Sequence, residues 1–293
     1  MSTFDPQYGT AVPLRPGLHR LTAPNASPFT GAGTNSYLIG DETLMLVDPG
    51  PDNDDHINAI VAAVAGRPVS HILITHTHFD HVGALGMLRT LMNVPTVAQG
   101  PHRLARPLNP GEENPFAGSS DLEFVPDIVV ADGDTIENGE STVTVVATPG
   151  HAANHLAFAV GDACLTGDHV MGWSTSVIAP PEGSMTDYLA SLDRLLQRPY
   201  SRFYPGHGDE ITEPRKAVTA MRGHRLMRER AILERLHGSD RTVAALVNSL
   251  YVGIDPRLRG AAGLSVLAHL EKLAGEGRVR SDGFGITANW EAG

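Results

Sequence analysis

The sequence predicts an α/β fold. Two clusters of short apolar, β-type runs, one before residue 100 and one after residue 127, alternate with stretches of helical periodicity. Beyond residue 208 the strand-like runs give way to arginine-rich helical segments. With 293 residues and 41% hydrophobic content, the chain can bury a large core, divided between a large domain over 1–210 and a smaller one over 211–293.

In the first cluster, strands over 35–39 and 43–47 are joined by Gly40-Asp41, a dipeptide that favours a tight hairpin. A helix over 54–65 follows, then a strand over 71–74, a second helix over 81–92 and a short strand over 96–98. From Pro101 to Pro126 the pattern breaks into Pro, Gly, Asn and acidic residues, a surface excursion that either shapes the rim of a cleft or is a tolerated insertion. The second cluster has strands near 128–130, 142–146, 155–160 and 163–165. After it, the aromatic, hydroxyl and apolar stretch from Trp173 to Pro181 either lines the mouth of a site or simply leads to a helix capped by Ser184. Helices over 214–237, 243–251 and 261–274 then precede a small glycine-marked hairpin formed by 277–280 and 283–287.

The chemistry is concentrated after the 71–74 strand, where Thr75-His-Thr-His-Phe-Asp-His81 delivers His76, His78, Asp80 and His81 into one loop. Imidazole and carboxylate together suit zinc or a similar divalent ion, and a pair of histidines alone would leave such an ion short of ligands. Further ligands are expected downstream at strand ends, and three glycine-flanked residues fit: His151 in Thr148-Pro-Gly-His151, Asp168 in Thr166-Gly-Asp168, and His207 in Tyr204-Pro-Gly-His-Gly208.

Over residues 15–210 this series of motifs resembles the metallo-β-lactamase fold superfamily, in its glyoxalase II-like, two-metal branch. The resemblance implies an αββα sandwich, with His76, His78 and His151 on a first metal, Asp80, His81 and His207 on a second, and Asp168 bridging both. It also implies two zinc ions per chain, with manganese or iron as other occupants. The carboxyl-terminal layout is similar to the winged-helix-like module of the β-lactamase-like protein 2 group, as are Tyr204-Pro-Gly-His-Gly208 and His224-Arg225. Asp48, which follows an early strand, is expected to support a ligand rather than to be one. His155 and His169 are read either as supports or substrate contacts, or as plain structure. His19, His56, His71, His102, His237 and His269 have no motif around them and are expected to be structural.

Two close divalent ions lower the pKa of a bridging water toward neutrality and make hydroxide available as nucleophile, so no serine or cysteine nucleophile is needed. Asp80 is the candidate catalytic residue, as a ligand that also orients the nucleophile. Diiron oxidoreductases of the superfamily usually place a glutamate where this chain has His78, and true β-lactamases usually lack the aspartate supplied here by Asp168. The expected activity is hydrolysis of an acyl ester, thioester or lactone by a metal-bridging hydroxide, with cleavage of single-stranded RNA as the alternative.

Charge weighs on that choice. Residues 1–208 carry 9 basic and 22 acidic side chains, net −13, whereas 209–293 carry 13 and 11, net +2, for an overall −11. A polyanion is repelled at long range, and Arg222, Arg225, Arg228, Arg230 and Arg235 are interleaved with Glu229 and Glu234, as on a solvated, salt-bridged helix face. A small-molecule acyl substrate is therefore the expected partner ahead of RNA, with a homodimer left open. No basic region followed by an apolar stretch opens the chain and no run approaches membrane-spanning length, so the expectation is a cytoplasmic protein without a membrane contact. The single cysteine, Cys164, excludes an internal disulfide and is expected to face the core from a strand.

Overall fold

The computed structural model describes residues 4–239 and 241–293. Its first sheet runs in sequence order through β1 (Val12–Arg15), β2 (Leu18–Thr22), β3 (Asn35–Ile39), β4 (Leu44–Val47), β5 (Val69–Leu73), β6 (Thr96–Ala98) and β7 (Ile128–Val129). The pairs up to β4 are antiparallel and those from β4 to β7 are parallel. Parallel neighbours need crossovers. The first is α1 (Asp54–Val64), started by Asn53, whose side chain accepts from the His56 amide at 3.0 Å, and ended at Ala65 in the left-handed region, φ 52°.

The second crossover contains α2 (Phe79–Val82) and α3 (Leu85–Met92) rather than the single helix expected over 81–92. The interruption has a local cause: the Ala84 amide donates to Gly50 O at 3.0 Å instead of to the helical carbonyl four residues back. Helical propensity is overruled there by a contact with the β4–α1 loop. The hairpin between β3 and β4 forms as expected, but through the four residues 40–43 rather than a tight turn.

The second sheet is ordered β12-β11-β10-β9-β8, built from β8 (Thr135–Glu137), β9 (Thr142–Ala147), β10 (Leu156–Val160), β11 (Ala163–Gly167) and β12 (Arg202–Pro205). Between β11 and β12, which are parallel, lies α4 (Met185–Leu196); Ser184 caps it, accepting from the Asp187 amide at 3.2 Å. Successive side chains of these strands alternate between two covered faces, which is why the strands read as nearly unbroken apolar runs. In β9, Val143 and Val145 point at the first sheet while Val146 faces the helices; in β10, Leu156 and Phe158 point inward while Ala157 and Ala159 face outward. Tyr37, Met45, Val47, Leu73 and Val97 of the first sheet meet them. Phe158 is fully buried there, and cutting it back to Ala should cost about 3–5 kcal/mol. The outer face of the first sheet packs on α1 and α3, and that of the second on α4 and the start of the helix Pro214–Leu236, completing an αββα sandwich. Cys164, in β11, is buried on this helix-facing side.

The remainder comprises α5 (Pro214–Leu236), α6 (Val243–Leu250), α7 (Arg259–Gly275) and the antiparallel pair β13 (Val279–Ser281) and β14 (Trp290–Ala292). Ile232, Leu236, Leu246, Val266, Leu270 and Trp290 form its core. The second strand of this hairpin lies later than the expected 283–287, which instead contains a short 3-10 turn over Gly285–Thr287. Asp282 closes the longer loop, accepting from the backbone and side-chain nitrogens of Asn289, both at 2.8 Å. The arginines of α5 do not form one solvated face either. Arg225 and Glu229 share its buried stripe with Val218, Ile232 and Leu236, and Glu229 accepts from Lys272 at 2.7 Å and Arg278 at 3.0 Å. Among the described residues, no helix is long and apolar enough to cross a membrane.

Candidate metal centre

All seven sequence-derived candidates meet at one edge of the sandwich, where loops leave β5, β9, β11 and β12. The two sheets are tied together at that edge: the Asn35 amide donates to Gly206 O at 2.7 Å, and its side chain donates to the carbonyls of Pro205 and Gly208. A glycine is required before the last histidine, because a Cβ at Gly206 would lie 2.6 Å from Asp168 Oδ1 and 2.8 Å from the His81 ring. A side chain there would occupy the centre itself.

His76, His78 and His151 form one donor group. His78 Nδ1 stands 2.9 Å from His76 Nε2 and 3.1 Å from His151 Nε2. Two nitrogens on one tetrahedral zinc ion would stand about 3.3 Å apart, so this spacing fits a shared cation. Burial, with help from neighbouring imidazoles, holds His76 and His151 below the usual histidine range, leaving them neutral with lone pairs available.

Asp80, His81 and His207 form a second group, and His76, His81 and Asp168 a third between them. His207 Nε2 lies 3.2 Å from Asp80 Oδ2 and 3.3 Å from Asp168 Oδ2, while His81 Nε2 lies 3.3 Å from Asp168 Oδ1. Asp168 Oδ2 is also 3.7 Å from His151 Nε2, so this carboxylate touches both sides. Burial opposes charge on His207, but Asp168 and Asp80 outweigh it and push the ring up to about 10. His81 is likewise raised against burial, by Asp80, Asp168 and Asp48, and both carboxylates at the centre are held low by these imidazoles. The donor chemistry fits divalent cations. His81 Nε2 and Asp168 Oδ1 are buried without a hydrogen-bond partner among the described residues, as ligand atoms aimed at a cation would be.

The distal atoms of these side chains are held from behind. Asp48, in the left-handed region at φ 49°, accepts from the Thr75 amide at 2.8 Å, from Thr75 Oγ1 at 2.7 Å and from His81 Nδ1 at 2.8 Å, the supporting place expected for it. His151 Nδ1 donates to Val177 O at 2.7 Å and His207 Nδ1 to Gly33 O at 3.1 Å. His155 Nε2 accepts from the Asp168 amide at 3.1 Å, and Gly167, at φ 48°, leaves room for that ring: a Cβ would stand 2.7 Å from it. His169 packs on Tyr188 with ring centroids 4.6 Å apart.

Sequence reasoning missed Glu182. It is buried, accepts from His78 Nε2 at 2.7 Å and from Asn114 Nδ2 at 3.0 Å, and lies 3.2 Å from Ser120 Oγ. Burial opposes its ionisation, but the His78 contact dominates and holds it down to about 2. The only available signal was a lone glutamate in Pro180-Pro-Glu-Gly183, a stretch without ligand spacing. Asn114, Ser120 and Phe116, whose ring lies 5.8 Å from His78, all come from the 101–126 excursion, which thus forms a wall of the centre. Trp173 is half-exposed and lies against Gly31 and Gly208 beside His207. Of the histidines expected to be structural, His102 alone comes near, 3.9 Å from Glu182; His56 instead bonds Ser36 Oγ and His71 bonds Ser70 Oγ.

Comparison with known proteins agrees with this geometry. The family model for the metallo-beta-lactamase superfamily matches residues 29–207, and that for the beta-lactamase associated winged helix domain matches 242–290. A beta-lactamase-like protein 2 homolog of Caenorhabditis elegans is 30% identical over 96% of this chain and 91% of its own length. An atrochrysone carboxyl ACP thioesterase of a Cryptosporiopsis species is 26% identical over 80% of this chain and 69% of its own. The crystal structure of a metallo-beta-lactamase family protein from Thermus thermophilus superposes with a TM-score of 0.76 at 26% identity, covering 96% of this chain and 100% of that one. The chain therefore belongs to the metallo-beta-lactamase superfamily, as a metal-dependent hydrolase with a winged helix domain toward its carboxyl end.

Proposed function

We propose that this protein is a binuclear zinc hydrolase that cleaves an acyl ester, thioester or lactone bond in a small-molecule substrate, with residues 1–210 as the catalytic unit and 211–293 as a winged-helix-like module. The observation that carries the reading is the meeting of seven imidazole and carboxylate donors in three overlapping groups. His76, His78 and His151 would hold one ion and Asp80, His81 and His207 the other, with Asp168 shared. An imidazole-rich set with two carboxylates suits zinc, and the same donors would accept manganese or iron. Two ions so held supply Lewis acidity toward the acyl oxygen and acidify water at neutral pH.

The chain's own part is orientation. Asp80 keeps 29% of its side chain exposed whereas the other six candidates are buried, and its Oδ2 is anchored by His207 at 3.2 Å and Thr34 Oγ1 at 3.4 Å. From that place its carboxylate can accept a proton-side contact from the attacking water and turn the water's lone pair toward the carbonyl, which makes Asp80 the catalytic residue of choice. Cys164 offers no competing nucleophile, since burial pushes its thiol up to about 12.

Acyl chemistry is favoured by the apolar surroundings. Phe79 lies between His78 and Asp80 in sequence and Trp173 lies against Gly208 beside His207, and both are half-exposed, so an acyl group would find aromatic surface beside the donors. The name of the thioesterase relative points the same way, and a net charge of −11 opposes a polyanionic substrate. The test is turnover by zinc-loaded protein on acyl thioesters, esters, lactones and a labelled single-stranded RNA, with Asp80→Ala as the control. Acyl cleavage that needs zinc and Asp80, with the RNA intact, is the expected result. RNA cleavage abolished by Asp80→Ala would replace the acyl reading with a nuclease.

A further inference from the structure

We propose that Arg225, on a helix outside both matched family regions, is a positioning residue that holds Asp168 and His151 in register through the loop between β11 and α4; the proposal rests on the two-metal reading. Helix α5 covers 214–236, after the 29–207 match and before the 242–290 match. Arg225 is 3% exposed and donates from Nη2 to Ser176 O. The Ser176 hydroxyl in turn donates to Asp168 O and lies 3.1 Å from His169 O, which fixes the backbone on which the shared carboxylate is mounted. One residue further, Val177 O accepts from His151 Nδ1 at 2.7 Å and sets the direction of that ring's Nε2. A single guanidinium thus anchors the loop that orients two donors arriving from different strands.

A second route reaches the same place. The Arg225 guanidinium stands over the Tyr188 ring at 5.3 Å, and Tyr188 packs against His169, the neighbour of Asp168. The first route reaches the Asp168-His169 backbone and the second the His169 ring. An arginine matches this task because its planar head can donate in its plane while stacking through its face, which a lysine cannot do. Partners behind metal ligands typically change metal affinity by tenfold to a hundredfold when lost, so the effect should be visible in binding as well as in turnover.

The test uses the full chain in four forms: wild type, Arg225→Met, Arg225→Lys and Ser176→Ala. Zinc affinity is read by competition with a chromophoric chelator, and amide hydrogen exchange is followed in the metal-free proteins. Arg225→Met and Ser176→Ala should each weaken zinc binding by about tenfold or more, with Arg225→Lys between them and wild type. Exchange should quicken over 168–177 while α7 stays protected. Zinc affinity equal to wild type in the Arg225 variants or in Ser176→Ala, or a loss accompanied by uniformly faster exchange along the chain, would overturn the proposal. Ser176→Ala keeps the carbonyl that Arg225 binds and tests the hydroxyl link to Asp168, while Arg225→Lys, which keeps a donor but not the stacked planar head, tests the guanidinium if Arg225→Met does not fold. Wild-type protein that takes up no zinc would overturn the two-metal reading itself, and this proposal with it.

Discussion

The two donor triads differ in how they make room for a cation. His76, His78 and His151 are imidazoles packed against one another, two of them kept neutral by burial, and their carboxylate support, Glu182, sits behind His78 rather than at the centre. Asp80, His81 and His207 work with Asp168 in the opposite sense: carboxylates stand among the donors and pull protons onto the imidazoles. The first triad is a set of neutral imidazoles, and the second pairs carboxylates with proton-holding imidazoles whose protons a divalent ion would displace. One centre therefore combines a neutral donor set with one of balanced charge.

The largest test of this division is Asp168→Ala, which removes the group both triads touch. Metal analysis should show both ions lost, and turnover should fall about a thousandfold, the equivalent of several kcal/mol of lost metal-derived stabilisation. Next come His78→Ala and His207→Ala, each expected to lower metal content from two ions to one; loss of both ions in either variant would show that the triads do not bind independently. Smaller effects are expected behind the ligands. Glu182→Gln should weaken only the histidine triad and Asp48→Asn only the carboxylate-bearing one, each by about tenfold to a hundredfold in a stepwise zinc titration. Smallest is Trp173→Ala, which should leave both metal steps intact and raise KM for apolar acyl substrates about tenfold through lost contact.

What the sequence revealed and what it hid follow a physical line. The seven donors were legible because each sits within a few residues of its strand end and is marked by histidine spacing or by a glycine such as Gly206, whose missing Cβ the centre needs. The strands of the sandwich interior were legible for a similar local reason, since both faces of β9 and β10 are covered and the runs are continuously apolar. Glu182, Ser176 and Arg225 were not. Their roles come from contacts with residues 104, 8 and 49 positions away, and nothing local distinguishes them from a loop glutamate, a loop serine or one arginine among several on α5. The break between α2 and α3 was hidden likewise, because the competing acceptor, Gly50 O, belongs to another loop. The short edge strands β1 and β8 carry mixed polar and apolar residues, so no unbroken apolar run marks them.

The buried cysteine provides a handle on the stability of the centre. Cys164 is the chain's single thiol, lies in β11 between β10 and β12, and is four residues ahead of Asp168. A disulfide reagent in solution can reach it only when that part of the sheet opens, so its modification rate works as a clock for opening of the strand that delivers the shared carboxylate. With no second thiol to blur the signal, slower labelling after zinc addition would register the ions' grip on the fold directly, in a protein carrying no substitution at all.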